Sequence, residues 1–240
     1  PMSGALHTLG IIPARAGSRR LPGKNMRLLG GKPLVAWTLD AAIASRRLSR
    51  LVVSSDDAQV LEMAASRDAR LALARPRELA GDQSPAIEYV RHALQVVESS
   101  GEARFDAVVI LQPTSPFTQA ADIDATIERL ERSGADTAVS VMQVDHAVHP
   151  VKLKTLSGDR LLPYWEEERG RMAAEQLPTL YVRNCSVYAT RRHVIDAGQI
   201  IGPDCRGYVM PRERSLDINE EIDIAFAEFL LERSARHARS

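Results

Sequence analysis

Leu9-Gly10-Ile11-Ile12-Pro13-Ala14-Arg15-Ala16-Gly17-Ser18-Arg19-Arg20-Leu21-Pro22-Gly23-Lys24-Asn25 is the stretch whose reading decides the fold. Its apolar start, Leu9 to Ile12, is too short for a helix and reads as a buried first strand. A loop carrying Arg15, Arg19, Arg20 and Lys24, with Gly17 and Gly23 among them, follows at once. Pro33-Leu34-Val35-Ala36-Trp37-Thr38-Leu39 then opens a helix, with Pro33 near its first turn. A basic, glycine-containing loop leaving the carboxyl end of a first parallel strand is where open α/β sheets hold phosphates. The glycines let backbone amides come close to an anion, and the arginines can grip phosphate oxygens in pairs.

Three other readings compete for this loop. A Walker A loop needs G-x-x-x-x-G-K-[ST]. Gly17 and Gly23 stand one residue too far apart for it, and Asn25 replaces its hydroxyl residue. A G-x-G-x-x-G dinucleotide fingerprint is absent. The third reading is a solvated basic turn, the usual fate of a charge run.

Outward from the loop, short apolar runs alternate with helical patterns. Helix is expected from about Pro33 to Ser45, strand at Leu51–Val53, and helix from Ala58 to Ser66 with Asp57 as N-cap. Strand at Leu71–Leu73 leads through Arg75-Pro76-Arg77-Glu78-Leu79-Ala80-Gly81-Asp82-Gln83-Ser84 to a helix from Pro85 to Glu98, with Ser84 and Pro85 as cap and first turn. The continuous run Ala107–Leu111 reads as a central strand, ending in the proline-fixed turn Gln112-Pro113-Thr114-Ser115-Pro116. A helix to Ser133, a strand at Thr137–Val144, strand-like sequence around Arg183-Asn184, a last strand at Tyr208–Pro211 and a helix after Asn219 complete the pattern. That helix carries Ile222, Ala225, Phe226, Phe229 and Leu230 as its apolar residues. The alternation predicts one α/β domain over residues 1–240 with a mainly parallel, doubly wound sheet. The segment from about 145 to 176 is polar and breaks the alternation. Its His146 and His149 have metal-pair spacing but no compelling third ligand nearby, so they read as surface histidines.

Five ordered motifs resemble the acylneuraminate cytidylyltransferase family, the CMP-sialic acid synthetases and their relatives. Arg15, Ser18, Arg19, Leu21, Pro22, Lys24 and Asn25 follow the family's first-loop pattern, which wraps the triphosphate of CTP. Arg75 to Asp82 resembles its R-P-x-x-L-A-x-D nucleotide element, and Leu111 to Pro116 matches its L-Q-P-T-S-P. Leu177 to Tyr188 is similar to its L-P…N-G-[AS]-[IV]-Y, with Cys185 in place of the usual Gly. Either φ is negative at Cys185 or strain is tolerated there. Ser215 to Asp223 resembles S-x-D-I-D-x-x-x-D, with Asn219 where the second metal-binding Asp is expected.

The resemblance implies transfer of CMP from CTP to the anomeric hydroxyl of a nonulosonic acid, with release of pyrophosphate. It makes Arg15, Arg19 and Lys24 the groups that stabilise the leaving phosphates. Arg15, Ser18, Asn25, Arg75 and Ser84 would hold the nucleotide, and Gln112, Lys152 and Asn184 the sugar acid. Asp217 and Asn219 would hold Mg²⁺, or Mn²⁺, although Asn219 equally suits an N-cap. The family's arginine before the L-P element has its nearest counterpart in Arg171. Residues 145–176 would form a protruding segment that exchanges across a homodimer, helped by the apolar Leu161, Leu162, Tyr164 and Trp165. Two rival readings stay open. One is a nucleotidyltransferase for another sugar or sugar phosphate, and the other is a nucleotide-binding protein without catalysis.

Composition sets outer limits. The 240 residues are 45% hydrophobic, ordinary for a globular chain, and 31 basic residues balance 31 acidic ones. Net charge therefore gives no reason to expect a nucleic-acid or membrane partner. No apolar run approaches the roughly 20 residues of a membrane helix, and the first residues show no secretory leader. Two isolated cysteines, Cys185 and Cys205, suggest neither a disulfide framework nor a zinc site, and point to a cytoplasmic protein.

Overall fold

The first strand, β1 (Thr8–Pro13), is buried along nearly its whole length and lies near the middle of a seven-stranded sheet. The computed structural model describes residues 5–164 and 177–237. On one side β1 runs parallel to β4 (Arg50–Ser55), which pairs in parallel with β5 (Ala72–Ala74). On the other side β1 runs parallel to β6 (Ala107–Leu111). Next comes β10 (Tyr181–Arg191), antiparallel to both β6 and β7 (Thr137–Gln143). The edge strand β11 (Cys205–Val209) is parallel to β7. The strand order is thus β11-β7-β10-β6-β1-β4-β5, mainly parallel with one reversed strand.

Alternation along the strands feeds two apolar layers, as a pleated sheet covered on both faces requires. Ile12, Val53 and Leu111 face α1 (Leu34–Ile43), α2 (Ala58–Arg67) and α4 (Ala120–Ser133), which contribute Val35, Leu39, Val60, Ile123, Ile127 and Leu130. Leu9, Ile11, Val52 and Ile110 face α3 (Ala86–Ser99) and the short α5 (Arg192–Asp196), which contribute Tyr89, Val90, Leu94 and Ile195. The sheet is therefore doubly wound. A third cluster binds the last helix, α6 (Glu221–His237), to the basic loop: Leu21, Leu29, Leu34, Ile218, Ile224 and Ala227. Leu21 is almost fully buried. Burying one leucine is worth about 1.5–3 kcal/mol, enough to anchor a charged loop at its midpoint.

Several boundaries differ from the sequence reading for local reasons. Between the loop and α1 the chain makes a small hairpin of β2 (Leu28–Leu29) and β3 (Lys32–Pro33). Gly30 and Gly31 turn it with φ of 58° and 76°, values that glycine adopts without steric cost. Pro33 stands just outside α1 as its N-cap. Ser54 and Ser55 belong to β4, not to the loop after it. Asp57 does cap α2, accepting from the Gln59 amide at 2.9 Å. Ser84 does not cap α3; the hydroxyl donates to the Glu78 carbonyl at 3.0 Å, and Pro85 occupies the cap position.

The last helix shows the largest difference. Ile222, Phe226 and Phe229 are exposed, and α6 reaches the core through Ile224 and Ala227 instead.

Of the polar segment, residues 145–164 are described, and Trp165 and Arg171 lie outside the described residues. Lys154–Ser157 and Arg160–Pro163 form a hairpin, β8 and β9, paired only with each other and exposed throughout. His149 is not a surface histidine. It is buried, with Nε2 3.2 Å from the Pro178 carbonyl and Nδ1 accepting from the Val151 amide at 3.4 Å.

Candidate active site

The carboxyl ends of β1, β4 and β6 meet at one edge of the sheet, where Pro13 is in register with Ser54 and Ile11 with Ile110. The connections that leave the adjacent strands β1 and β6 run toward opposite sides of the sheet, to β4 and to β7, the switch point at which open α/β sheets bind ligands. A cleft of about 560 Å³ opens there. Eight of the sequence-predicted residues line it: Arg15, Ser18, Arg19, Lys24, Asn25, Arg75, Ser84 and Gln112.

The basic loop is tied to both lips of this cleft. On one lip, Arg15 Nη1 donates to Asp82 Oδ1 at 2.6 Å, and Arg19 forms an ion pair with the other oxygen of the same carboxylate. The two guanidiniums hold the Asp82 carboxyl below its ordinary range, the hydrogen bond from Arg15 contributing most. On the other lip, Arg20 Nη2 donates to Asn219 Oδ1 at 2.9 Å and Lys24 Nζ to the Ile218 carbonyl at 3.0 Å. Lys24 is half-buried, and burial pushes its ammonium below the usual lysine range, opposed in part by the Asp217 carboxylate. Asn25 is buried and closes the loop on itself, donating to the Arg15 carbonyl at 2.9 Å. The Ala16 amide donates to Asp56 Oδ1 at 2.8 Å, fixing the loop to the end of β4. Gly23 turns the chain with φ of 64° just before Lys24.

Arg75 forms the floor. It is buried, donates from Nε and Nη2 to the hydroxyl and carbonyl of Ser54 at 3.0 and 2.9 Å, and stacks on Tyr89 with 4.4 Å to the ring centroid. Burial pushes the Tyr89 hydroxyl up to about 12, so the ring stays neutral beside the cation. Gln112 sits at the end of β6, its amide donating to the Ser186 carbonyl at 3.1 Å. Tyr89 was not singled out from sequence; Arg20 was read only among the loop cations, Asp82 only within the Arg75–Asp82 stretch, and Ser54 only as a polar strand end able to touch a ligand. An apolar helical face hides Tyr89, a strand end hides Ser54, and charge alone does not say which residue turns inward.

The segment before α6 is fixed by a buried carboxylate. Arg214 grips Asp122 with two hydrogen bonds of 3.0 and 2.7 Å, and the Tyr208 hydroxyl adds a third at 3.1 Å. Asp122 is fully buried, and breaking such a pair costs about 3–5 kcal/mol. Beyond this clamp, Asn219 Nδ2 donates to Asp217 Oδ2 at 2.7 Å. Asn219 is not the helix cap. Glu220 occupies the cap position, and Asp223 in the first turn of α6 reaches back to it, accepting from the Asn219 and Glu220 amides at 2.7 and 2.8 Å.

Asn184 and Lys152, like Asp217 and Asn219, lie outside the residues lining the cleft. Asn184 is buried, accepting from Ser140 Oγ at 2.6 Å and donating to Ser215 Oγ at 2.9 Å and to Met210 Sδ at 3.2 Å. Its amide thereby joins β7, β10 and the segment that leads to Asp217. Lys152 Nζ lies 3.0 Å from His146 Nδ1. The neighbouring Cys185 has φ of 61°, so a side chain does occupy the left-handed conformation at the point where the β10–β7 register shifts. Such a residue stores about 1–3 kcal/mol. Burial first, and then contact with Cys185, raises the pKa of the Tyr188 hydroxyl.

Comparison with known proteins fits this geometry. The cytidylyltransferase family model matches residues 9–202. The chain is 32% identical to the CMP-N,N'-diacetyllegionaminic acid synthase of Legionella pneumophila, over 95% of this chain and 97% of that one. It is 25% identical to a pseudaminic acid cytidylyltransferase of Campylobacter jejuni, over 94% and 96%. It is 28% identical to the N-acylneuraminate cytidylyltransferase of Escherichia coli, spanning 91% of this chain but only 51% of that longer protein. A solved CMP:2-keto-3-deoxy-manno-octonic acid synthetase in complex with CTP shares the fold with a TM-score of 0.67 and 18% identity, covering 95% of this chain and 99% of that one. Taken with the cleft at the switch point, these matches place the chain in the cytidylyltransferase family.

Proposed function

We propose that the enzyme transfers CMP from CTP to the anomeric hydroxyl of a nonulosonic acid and releases pyrophosphate. The observation that carries this reading is the convergence of Arg15, Arg19, Lys24, Arg75 and Gln112 on one cleft at the carboxyl end of β1. The hydroxyl of the acid attacks the α-phosphorus, and the bond to the β-phosphate oxygen breaks. Such transfers depend chiefly on positioning and on neutralising charge. Arg15, Arg19 and Lys24 take the negative charge that grows on the leaving β,γ-phosphates. Ser18, Asn25, Arg75 and Ser84 hold the rest of the nucleotide, and Gln112 marks the boundary with the sugar acid. Legionaminic, pseudaminic and neuraminic acids, the substrates in the names of the relatives, make this acid class the first to test.

The residues fit a divalent cation that arrives with substrate. Among the described residues no group of three or more His, Cys, Asp and Glu forms a metal-sized cluster. Mg²⁺, however, commonly binds through one or two carboxylates together with substrate phosphates. Asp217 offers one carboxylate and Asn219 an amide oxygen, beside Lys24 and Arg20. Bound there with the triphosphate, Mg²⁺ (or Mn²⁺) would lower the charge at phosphorus.

The working form is proposed to be a homodimer through the β8–β9 hairpin. An isolated two-stranded hairpin is marginal in water, and this one exposes Leu156, Leu161, Leu162 and Tyr164. The second copy would cover it and bring Lys152, and Arg171 outside the described residues, toward the acid. Among the described residues no helix is long and apolar enough to cross a membrane. Cytoplasmic residence is proposed from the two free cysteines.

The test is a panel of CTP, UTP, GTP and ATP against the three nonulosonic acids, the eight-carbon octulosonate and a hexose phosphate, read by pyrophosphate release. Release with CTP and one nonulosonic acid is expected. Release with another nucleotide and a sugar phosphate, or CTP binding without any release, would overturn the reading.

A further inference from the structure

Asp82 occupies an unusual place in the cleft. Its two carboxylate oxygens are shared between Arg15 and Arg19, one oxygen each. These are the two guanidiniums assigned above to the leaving phosphates. The other two cations of the loop hold the neutral oxygens of Asn219 and Ile218. One carboxylate thus bridges the phosphate-binding pair, as a phosphate with two free oxygens would.

We propose that Asp82 is an exchangeable counterion that the β,γ-phosphates displace on binding and that returns as pyrophosphate leaves. This rests on the cytidylyltransferase reading of the cleft and extends it to the binding and release steps.

Three observations support exchange rather than a permanent bond. Asp82 lies on the loop between β5 and α3, and its carboxylate bonds to the loop arginines and to no strand or helix residue, so the side chain can turn away without breaking a strand or helix bond. Arg19 is largely exposed, its side chain at 83% of full accessibility, and can swing while keeping its charge in water. Arg15 also lies 3.5 Å from the Ala80 carbonyl, a neutral acceptor that keeps it in place when the carboxylate departs. A carboxylate left beside a triphosphate would repel it, so the contact opposes binding and favours release. In the empty cleft the same contact keeps two like charges on one loop from driving each other apart.

The test measures binding of CTP, inorganic pyrophosphate and CMP to the full chain and to its Asp82→Asn and Asp82→Ala variants by calorimetry, at low and at physiological ionic strength. Thermal melts check that each variant is folded. Both variants should bind CTP and pyrophosphate at least about threefold more tightly, the size expected of an exposed ion pair together with the loss of a repelling charge. CMP, which lacks the displacing phosphates, should bind as it does to the parent. In turnover, both variants should show stronger inhibition by pyrophosphate. Weaker binding of CTP and pyrophosphate would make Asp82 an organiser of the arginines and overturn the proposal. Unchanged binding would reduce the contact to a surface pair and overturn it too. In both cases CTP binding by the parent leaves the cytidylyltransferase reading standing. Failure of the parent to bind CTP or pyrophosphate would sink both.

Discussion

The two halves of the sheet treat their polar residues in opposite ways. In the half built from β1, β4, β5 and β6, charged and amide side chains converge on open space: Arg15, Arg19, Lys24, Arg75 and Gln112 all line the cleft. In the half built from β7, β10 and β11, the residues of corresponding interest turn to one another. Asn184 joins Ser140, Ser215 and Met210, and Lys152 lies against His146. The first half opens its cations to a ligand. The second is a support, and on the proposed function its contribution to a sugar-acid site would come through what it positions and what a second copy adds.

Lys24→Ala should break this contrast most strongly. Lys24 stands in the receptor half but leans on the Ile218 carbonyl of the far lip. Its loss removes a charge that acts on the leaving phosphates, and turnover at saturating CTP and acid should fall about 10²-fold or more. The fold should survive, because the side chain sits on a loop and leaves no core cavity. A normal rate at saturation, measured as pyrophosphate release, would move Lys24 out of the reacting region.

Asp217 and Asn219 sharpen the boundary between the halves. Asp217→Asn leaves two neutral amides where a hard cation prefers carboxylate oxygen, and Mg²⁺-dependent turnover should drop by at least about tenfold. Asn219→Asp should act oppositely and lower the Mg²⁺ concentration needed for half-maximal rate. Helix capping does not confuse this test, because Asn219 lies before the cap position, Glu220. An unmoved Mg²⁺ titration in Asn219→Asp, together with retained activity in Asp217→Asn, would leave the pair without a metal role.

Asn184 tests the support half. Replacing it by Ala takes one partner from each of the buried hydroxyls of Ser140 and Ser215, which keep Val187 and Pro211, and the two lost hydrogen bonds should cost about 1–3 kcal/mol. For a chain of this size that is a melting-temperature drop of several degrees, about 2–4 °C per kcal/mol. A variant with normal melting and a raised KM for the acid alone would instead give Asn184 a direct hold on substrate.

The two halves were also unequally legible in the sequence. The strand Ala107–Leu111 and the loop cations could be read because an apolar run and a charged loop leave few alternatives. The Arg15–Asp82 bridge joins residues far apart in the chain, and no local pattern announces it. The left-handed Cys185 was visible only as a side chain where glycine is usual; the structure decides for strain. In α6 the apolar residues Ile222, Phe226 and Phe229 could be read but not their burial: they are exposed, and Ile224 and Ala227 on the other side of the helix meet the third cluster. Helical periodicity marks an apolar stripe and does not say what covers it.

The smallest expected effect lies in the alkaline limb of the pH profile, and it joins both lips of the cleft. Burial lowers the Lys24 pKa from its ordinary value of 10.5, Arg20 and Arg15 lower it further, and Asp217 and then Asp223 raise it. As pH rises through the lowered value, Lys24 loses its proton and the leaving phosphates lose a cation. The plot of kcat/KM against pH, which reports free-enzyme groups, should therefore fall below pH 10.5. Stability has the opposite sign. Between the folded and unfolded values the unfolded chain binds more protons at this group, so Lys24 contributes a stability that increases with pH across that window. Lys24→Arg keeps its charge throughout and should flatten the limb while lowering the overall rate, since a planar fork cannot reproduce the ammonium's contact with Ile218. Asp217→Asn removes the larger of the two raising influences and should shift the limb to lower pH. A limb unmoved in both variants would assign it to another group and cut the electrostatic link between the two lips.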